Sequence, residues 1–318
     1  EHKTTLTRER IERDAVPYYE LLDNNIGYIV LETFNQKAAA QTKSALLDLK
    51  QKGADKIILD LRNNPGGLLN ESIKIANFFV DKGVQITYTE SVIKKYNTNY
   101  VTREEPIDTK IPLVVLINER SASASEIISG SLQDLDRAVI LGNQSFGKGL
   151  VQREMPLSYS TQLKVTISRY FTPSGRSIQK LDYDTDLVEK RNIQGKDQVF
   201  YTKNNRKVYG GGGVMPDKIL ESSVDQEFIK MLNSKLLLFD FASEYLKNND
   251  INNLESFALN NKDWQHFKQF MQDKEAFSKT NEAWKNLENI AKEEGVETSL
   301  KSLEGDFKNH LGSALNIK

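Results

Sequence analysis

The sequence predicts an α/β protein built from strand–helix units with a helical appendage, and three observations carry that prediction. Apolar runs of strand length occur at Asn25–Leu31, Lys56–Leu61 and Leu113–Ile117, each followed by a stretch whose apolar residues fall at helical spacing. Two of these runs end in an abrupt polar turn before the helix begins, Arg62–Gly67 and Asn118–Ser125. From Ser222 onward the strand signals stop and the pattern is helical only. Strand–helix alternation of this kind favours mainly parallel strands, with active groups gathered at their carboxyl ends.

Length and composition set the outer limits. A chain of 318 residues with 38% hydrophobic content can fill two or three domains with cores of ordinary size. Lys and Arg (43) nearly balance Asp and Glu (44), so no charge excess calls for nucleic acid or an anionic membrane, and neither partner is expected. No apolar run approaches the roughly 20 residues that span a bilayer, so no intrinsic membrane span is expected, and no basic-then-apolar leader opens the chain. Cysteine is absent, which excludes thiol chemistry and leaves the compartment open. With three histidines and no cysteine there is no zinc-like cluster, and no cofactor or metal is expected.

Taken in order, Lys3–Arg13 alternates like a lone strand without a visible partner, and Val16–Tyr19 around Pro17 reads as a linker. After the strand at Asn25–Leu31, residues Asn35–Gly53 carry Ala38, Ala39, Leu46, Leu47 and Leu49 at helical spacing. Lys56–Leu61 is a strand, Leu69–Phe79 a helix, and Val84–Tyr88 a strand before a variable excursion to Lys110. A helix is expected over Ser125–Leu135, a strand over Ala138–Leu141 and a half-buried strand over Gln162–Tyr170. Lys180–Tyr209 is a polar insertion, read as a surface hairpin or partly mobile loop. Behind it, Phe228, Met231, Leu232, Leu236, Leu237 and Leu238, then Phe257, Trp264, Phe267, Phe270 and Met271, are expected to pack a small helical domain. The expected domains are 1–15, 16–221 and 222–318.

The chemistry points to Asn118–Gln152. The turn after Leu113–Ile117 holds Ser121, Ser123 and Ser125 separated by alanines, so one hydroxyl can be presented with little bulk around it. The free N–H groups of the following helix start would suit an oxyanion. A serine hydroxyl needs a base to take its proton. His2, His266 and His310 are all distant in sequence, which disfavours a Ser-His-Asp triad. Lys148, in Ser145-Phe146-Gly147-Lys148-Gly149, is the candidate base: its glycines allow a tight turn, and partial burial is the setting expected to keep its amine neutral. Gln152 is a suitable partner for that amine, since it can accept a hydrogen bond without adding a negative charge.

These motifs, SASASE and GKGLVQ preceded by DLRNNPGG and followed by TPSGRSIQ and GGGVMPD, resemble the C-terminal processing peptidases, also called tail-specific proteases. The resemblance covers roughly residues 26–220. It implies a ClpP/crotonase-like core and a Ser/Lys dyad in which Ser123, 25 positions before Lys148, is the nucleophile and Gln152 supports the lysine. It also implies that Lys3–Arg13 is the remnant last strand of a PDZ domain, and that the protein acts in the periplasm or cell envelope on the C-termini of exported or unfolded proteins. Partners are then protein or peptide substrates, with a homodimer or an adaptor left open. The backbone N–H of Ala124, with that of Gly66 or Gly67, is expected to form the oxyanion hole. Asp60 and Arg62 read as a structural ion pair below the site. Two other readings keep the same fold, a catalytically latent peptide-binding protein and a crotonase-like acyl-CoA enzyme, and the second leaves Lys148 without a task.

Overall fold

The structure is a computed structural model of the chain, and it describes residues 4–5, 7–9, 13–182, 191–192, 198–220, 226–251, 257–274, 278–296, 298, 300 and 303. The chain divides into two compact units, Glu1–Glu221 and Ser222–Lys318.

The first unit is built on a six-stranded sheet. β1 (Tyr18–Leu22) runs antiparallel to β2 (Ile26–Val30); helix α1 (Ala38–Gln51) leads to β3 (Lys56–Asp60), and α2 (Leu69–Asn77) follows. Next come β4 (Gln85–Glu90), β5 (Thr98–Val101) and β6 (Leu113–Ile117), then α3 (Ala124–Asp134) and β7 (Val139–Gly142). β8 (Leu150–Pro156) and β9 (Gln162–Phe171) form a long hairpin, and two short pairs follow: β10 (Leu181–Asp182) with β11 (Arg191–Asn192), and β12 (Val199–Tyr201) with β13 (Lys207–Tyr209). β14 (Lys218–Ile219) closes the unit. The large sheet has the order β1-β2-β3-β6-β7-β14, parallel throughout except at β1.

Register is what positions the site. Asp60 lies beside Leu116 and Leu116 beside Leu141, so β3, β6 and β7 end level with one another. The turns that follow β3 and β6 therefore emerge side by side. These central strands bury one face fully, with Ile57, Leu59, Leu113, Val115, Ile117 and Ile140 buried, and the other at least partly at Ile58, Val114, Leu116 and Leu141, which is why they are rich in Ile, Leu and Val.

The sequence suggested mainly parallel strands, and half of the architecture departs from that. A second, four-stranded sheet of order β5-β4-β9-β8 is wholly antiparallel. It was hard to read because β8 carries Gln152, Arg153 and Glu154 in succession, without a clear apolar alternation. Helix α3 packs against α2, β7 and β4, and every one of its residues is buried. Its serines and glycine suit that position, since small side chains let neighbouring elements approach closely.

The expected linker over Val16–Tyr19 is in part strand, because Tyr18 and Tyr19 pair with Val30 and Ile29. Of the expected Lys3–Arg13 strand, residues 4–5, 7–9 and 13 are described and belong to no strand; the rest lie outside the described residues, as do 183–190 and 193–197 of the Lys180–Tyr209 insertion. Within the second unit, α4 (Gln226–Ser234), α5 (Leu237–Asn248), α6 (Asn261–Asp273) and α7 (Ser278–Glu293) are helical, with Leu232, Leu237, Phe241, Phe267, Phe270 and Met271 buried together. Leu236 and Leu238 were expected in that core and are exposed instead, Leu236 because it occupies the left-handed turn between α4 and α5. The side chain of Phe228 lies outside the described residues.

An ion pair and a side-chain hydrogen bond tie the late motifs to α3. Arg176, within TPSGRSIQ, is fully buried and meets Asp134 at 2.8 Å, the Oε1 of Gln133 at 2.6 Å and the carbonyl of Tyr209 at 3.2 Å. Asp217, within GGGVMPD, accepts from Arg206 at 2.6 Å, Gln133 Nε2 at 2.9 Å and the Ile140 N–H at 2.8 Å. Removing one partner of a buried pair leaves the other charge uncompensated, so Arg176→Ala is expected to cost about 3–5 kcal/mol in urea unfolding followed by circular dichroism. A loss below about 1 kcal/mol, the range of an exposed pair, would contradict the role given to this contact.

Candidate active site

The two polar turns are stitched together by their own side chains. Asn64 is fully buried: its Nδ2 donates to the Leu31 carbonyl at 2.7 Å, and its own carbonyl accepts the Ala122 N–H at 3.0 Å and the Ser125 hydroxyl at 2.9 Å. Ser121 Oγ donates to the Leu61 carbonyl at 2.7 Å, and Asn118 and Asn63 are joined by a side-chain hydrogen bond at 3.0 Å. This distinguishes the three serines. Ser121 and Ser125 are fully buried with hydroxyls spent on the first turn, whereas Ser123 is half-buried and its hydroxyl makes no such backbone contact.

Ser123 caps α3 with φ 57° and ψ −113°, a conformation that costs a non-glycine residue roughly 1–3 kcal/mol. A carboxylate holds it there. Glu126 Oε2 accepts the Ser123 N–H at 2.8 Å and the Lys148 N–H at 2.9 Å, while its Oε1 accepts the Ser145 hydroxyl at 2.6 Å and the Gly147 N–H at 2.7 Å. The backbones of Ser123 and Lys148 thus share one oxygen atom and lie no further apart than two hydrogen bonds placed end to end. A lysine side chain can cover that span.

The glycines flanking Lys148 have a packing reason. A Cβ on Gly147, whose φ is 91°, would lie 2.6 Å from Lys180 Cβ, and one on Gly149 would lie 2.8 Å from the Gln179 backbone nitrogen. Gln179 Oε1 accepts the Gly149 N–H at 2.7 Å, so the loop is wedged against the segment that follows β9. Tyr170, near the end of β9, completes the enclosure. Its Oη stands 2.7 Å from the Lys148 carbonyl oxygen and 3.1 Å from Ser123 Oγ.

The two glycines expected as oxyanion donors differ. The Gly66 N–H, one of the two expected candidates, is taken by Asn64 Oδ1 at 2.8 Å inside the turn. Gly66 serves instead as a contact: a Cβ there would fall 2.8 Å from Ser123 Cβ and 2.9 Å from Ala124 N. Among the described residues the N–H groups of Gly67 and Ala124 have no acceptor, and Gly67 is exposed.

One expectation for the lysine is corrected. Lys148 is exposed rather than partly buried, because the glycine turn presents its side chain outward. Gln152 is exposed on β8 beside a bulge at Val151/Gln152, and among the described residues no hydrogen bond joins it to Lys148, nor Lys148 Nζ to Ser123 Oγ. Asp60 and Arg62 are paired at 2.6 Å, with the Tyr28 hydroxyl donating to Asp60 at 2.6 Å. Desolvation pushes the Glu126 carboxyl above its ordinary range while its four donors pull it back toward the ionised form, and burial likewise raises the Tyr170 phenol. No histidine is present among the first unit's described residues, and no cluster of three or more His, Asp or Glu is placed to hold a metal among the described residues.

The sequence alone assigns no role to Glu126 or Tyr170. A signal for Glu126 existed, since Ser123-Ala-Ser-Glu126 has capping-box spacing and half of that box is the contact from the Ser123 N–H. Nothing local marks Tyr170 apart from other strand residues.

Because Ser123 sits at a φ that glycine adopts freely, Ser123→Gly is expected to raise stability by about 1 kcal/mol in thermal or urea unfolding. A loss of similar size would show that the turn is unstrained.

The model of Peptidase family S41 matches residues 25–189, and a model described as "Probable PDZ-protease, C-terminal helical domain" matches residues 228–317. The carboxy-terminal-processing protease of Bartonella bacilliformis is 38% identical over 195 residues, 60% of this chain and 44% of that one. The carboxyl-terminal-processing protease of Synechocystis sp. is 41% identical over 189 residues, 58% of this chain and 43% of that one. The chain therefore spans rather under half the length of these relatives. Among solved structures, a photosystem II D1 C-terminal processing protease aligns with a TM-score of 0.52 at 30% identity, covering 70% of this chain and 53% of that one. With more than half of its length matched by the family model, the chain belongs to peptidase family S41.

Proposed function

We propose that residues 16–221 form the catalytic domain of a serine endopeptidase that cleaves peptide bonds near the C-termini of exported or unfolded proteins, with Ser123 as nucleophile and Lys148 as general base. The observation that carries this reading is the shared acceptor: Glu126 Oε2 binds the backbone N–H of both residues, so one carboxylate sets the nucleophile and the base in a common frame. Support also comes from the strained, half-buried Ser123 and from the unengaged N–H groups of Gly67 and Ala124 beside it.

In the proposed reaction Ser123 Oγ attacks the peptide carbonyl carbon and its proton passes to Lys148 Nζ. The carbonyl oxygen, now anionic, is held by the Gly67 and Ala124 N–H groups, each worth about 3 kcal/mol by the effect of deleting such donors. Lys148 then returns the proton to the departing amine as the C–N bond breaks, leaving an ester on Ser123. Water attacks that ester, gives its proton to Lys148, and the serine recovers its hydrogen as the acyl group leaves. The exposed lysine must turn inward for the first step, and the adjacency of the two backbones allows that without refolding. Gln152 is assigned to the lysine in this turned-in position, where it accepts from the ammonium without adding a counter-charge.

The names of the relatives support a C-terminal processing role, and exported or unfolded proteins as its substrates are part of the proposal. Action in the periplasm or cell envelope is part of the proposal; among the described residues no helix is long and apolar enough to cross a membrane. Incubation with an unfolded protein, read by mass spectrometry of the fragments, is expected to show cleavage that falls by about 10³-fold or more in Ser123→Ala and by about 10²-fold or more in Lys148→Arg, which keeps the charge but cannot act as the base. Cleavage that persists in Ser123→Ala, or near-normal turnover in Lys148→Arg, would overturn the assignment. A wild type that binds the unfolded protein without cutting it would favour a latent peptide-binding protein.

A further inference from the structure

We propose that Tyr170 is a positioning residue for the Ser123/Lys148 pair, its single phenol oxygen fixing the serine hydroxyl and the lysine backbone at one point. The inference rests on the peptidase reading given above.

Tyr170 grips the lysine loop twice. Its backbone N–H donates to the Gly149 carbonyl at 3.0 Å, and its Oη meets the Lys148 carbonyl oxygen at 2.7 Å. Glu126 takes the N–H of the same residue at 2.9 Å, so the Lys148 backbone is pinned from both sides. A buried tyrosine needs one partner for its hydroxyl, and the Lys148 carbonyl already satisfies that need. The approach to Ser123 Oγ at 3.1 Å is the additional feature that packing alone does not require.

Counting protons gives the contact its direction. A carbonyl oxygen can only accept, so the phenol's one proton goes to Lys148, and the lone pairs of Tyr170 Oη then face Ser123. The serine hydroxyl is the donor in that contact. The phenol is no base for it, because burial and the nearby Glu126 both disfavour a phenolate. Tyr170 therefore holds Ser123 Oγ in place in the resting site without removing its proton; when the amine turns in, that one proton swings from Tyr170 Oη to Lys148 Nζ, so the phenol sets where Oγ starts. Placement of this kind matters because a displacement of about 1 Å at a reacting atom can cost about a hundredfold in rate.

Tyr170→Phe keeps the ring, which belongs to the buried core, and deletes only the shared oxygen. Its kcat on an unfolded protein substrate is expected to fall by about 10- to 100-fold with KM nearly unchanged, and labelling of Ser123 by a small fluorophosphonate is expected to slow by the same factor. Thr87→Val is the matched control: Thr87 Oγ1 donates to the Phe171 carbonyl at 2.7 Å, so this variant loosens the same end of β9 without touching Ser123 or Lys148. It should leave kcat within about twofold of the wild type, as expected for a site outside the reacting groups. All proteins are compared at a temperature where circular dichroism shows each folded. A Tyr170→Phe rate within about threefold of the wild type, or a fall equalled by Thr87→Val, would overturn the positioning role while leaving the peptidase reading intact. A wild type that neither cleaves nor labels, and so matches Ser123→Ala, would instead remove the peptidase reading and this inference with it.

Discussion

A single buried carboxylate organises this site. Glu126 is fully buried, yet it faces four donors drawn from two segments: the Ser123 N–H of its own turn, and the Ser145 hydroxyl with the Gly147 and Lys148 N–H groups of the loop after β7. Hydrogen bonds to a charged group contribute about 1.5–3 kcal/mol each, so four of them oppose the desolvation of the carboxylate and outweigh the strain at Ser123. Without that anchor neither the unusual backbone of Ser123 nor the spacing between the serine and the lysine loop would have a cause.

The parallel sheet supplies the stage for this contact. Because β3, β6 and β7 end level, the turns at 61–68 and 118–123 and the loop at 143–149 all open on one edge. Asn64 and Gly66 then control how closely the first two approach: Asn64 by bonding three backbone groups, Gly66 by having no side chain where Ala122 O, Ser123 Cβ and Ala124 N converge. The second sheet contributes from the other side, since Tyr170 reaches back from β9 to the serine and the lysine carbonyl together.

Much of this was legible in the sequence, and the omissions share a physical cause. The strand–turn–helix units, the three-serine turn and the glycine-flanked lysine are local patterns, set by periodicity and by residues with few backbone options, so they survive without tertiary information. Which glycine offers its N–H depended on the side chain of Asn64, two residues away, reaching into the turn. The environment of Lys148 depended on how the loop folds against Gln179 and Gly212, and the result is an exposed side chain where partial burial was expected. Tyr170 is separated from Ser123 by a whole hairpin. Glu126 was readable in principle from its capping-box spacing, but a glutamate near a helix start is ordinarily solvated, and only the packing of the Ser145–Gly149 loop over it reveals otherwise.

The account stands or falls on whether Ser123 reacts within this frame. The most direct measurement is a crystal structure of the protein treated with a peptidyl boronic acid, which forms a tetrahedral adduct on a reactive serine and mimics the oxyanion. The expected result is boron bonded to Ser123 Oγ, one adduct oxygen within hydrogen-bond reach of the Gly67 and Ala124 N–H groups, Lys148 Nζ turned toward Oγ, and the N–H groups of Ser123 and Lys148 still sharing Glu126. An adduct whose oxygens avoid both amides, or one that forms only after the Lys148 loop has left Glu126, would contradict it.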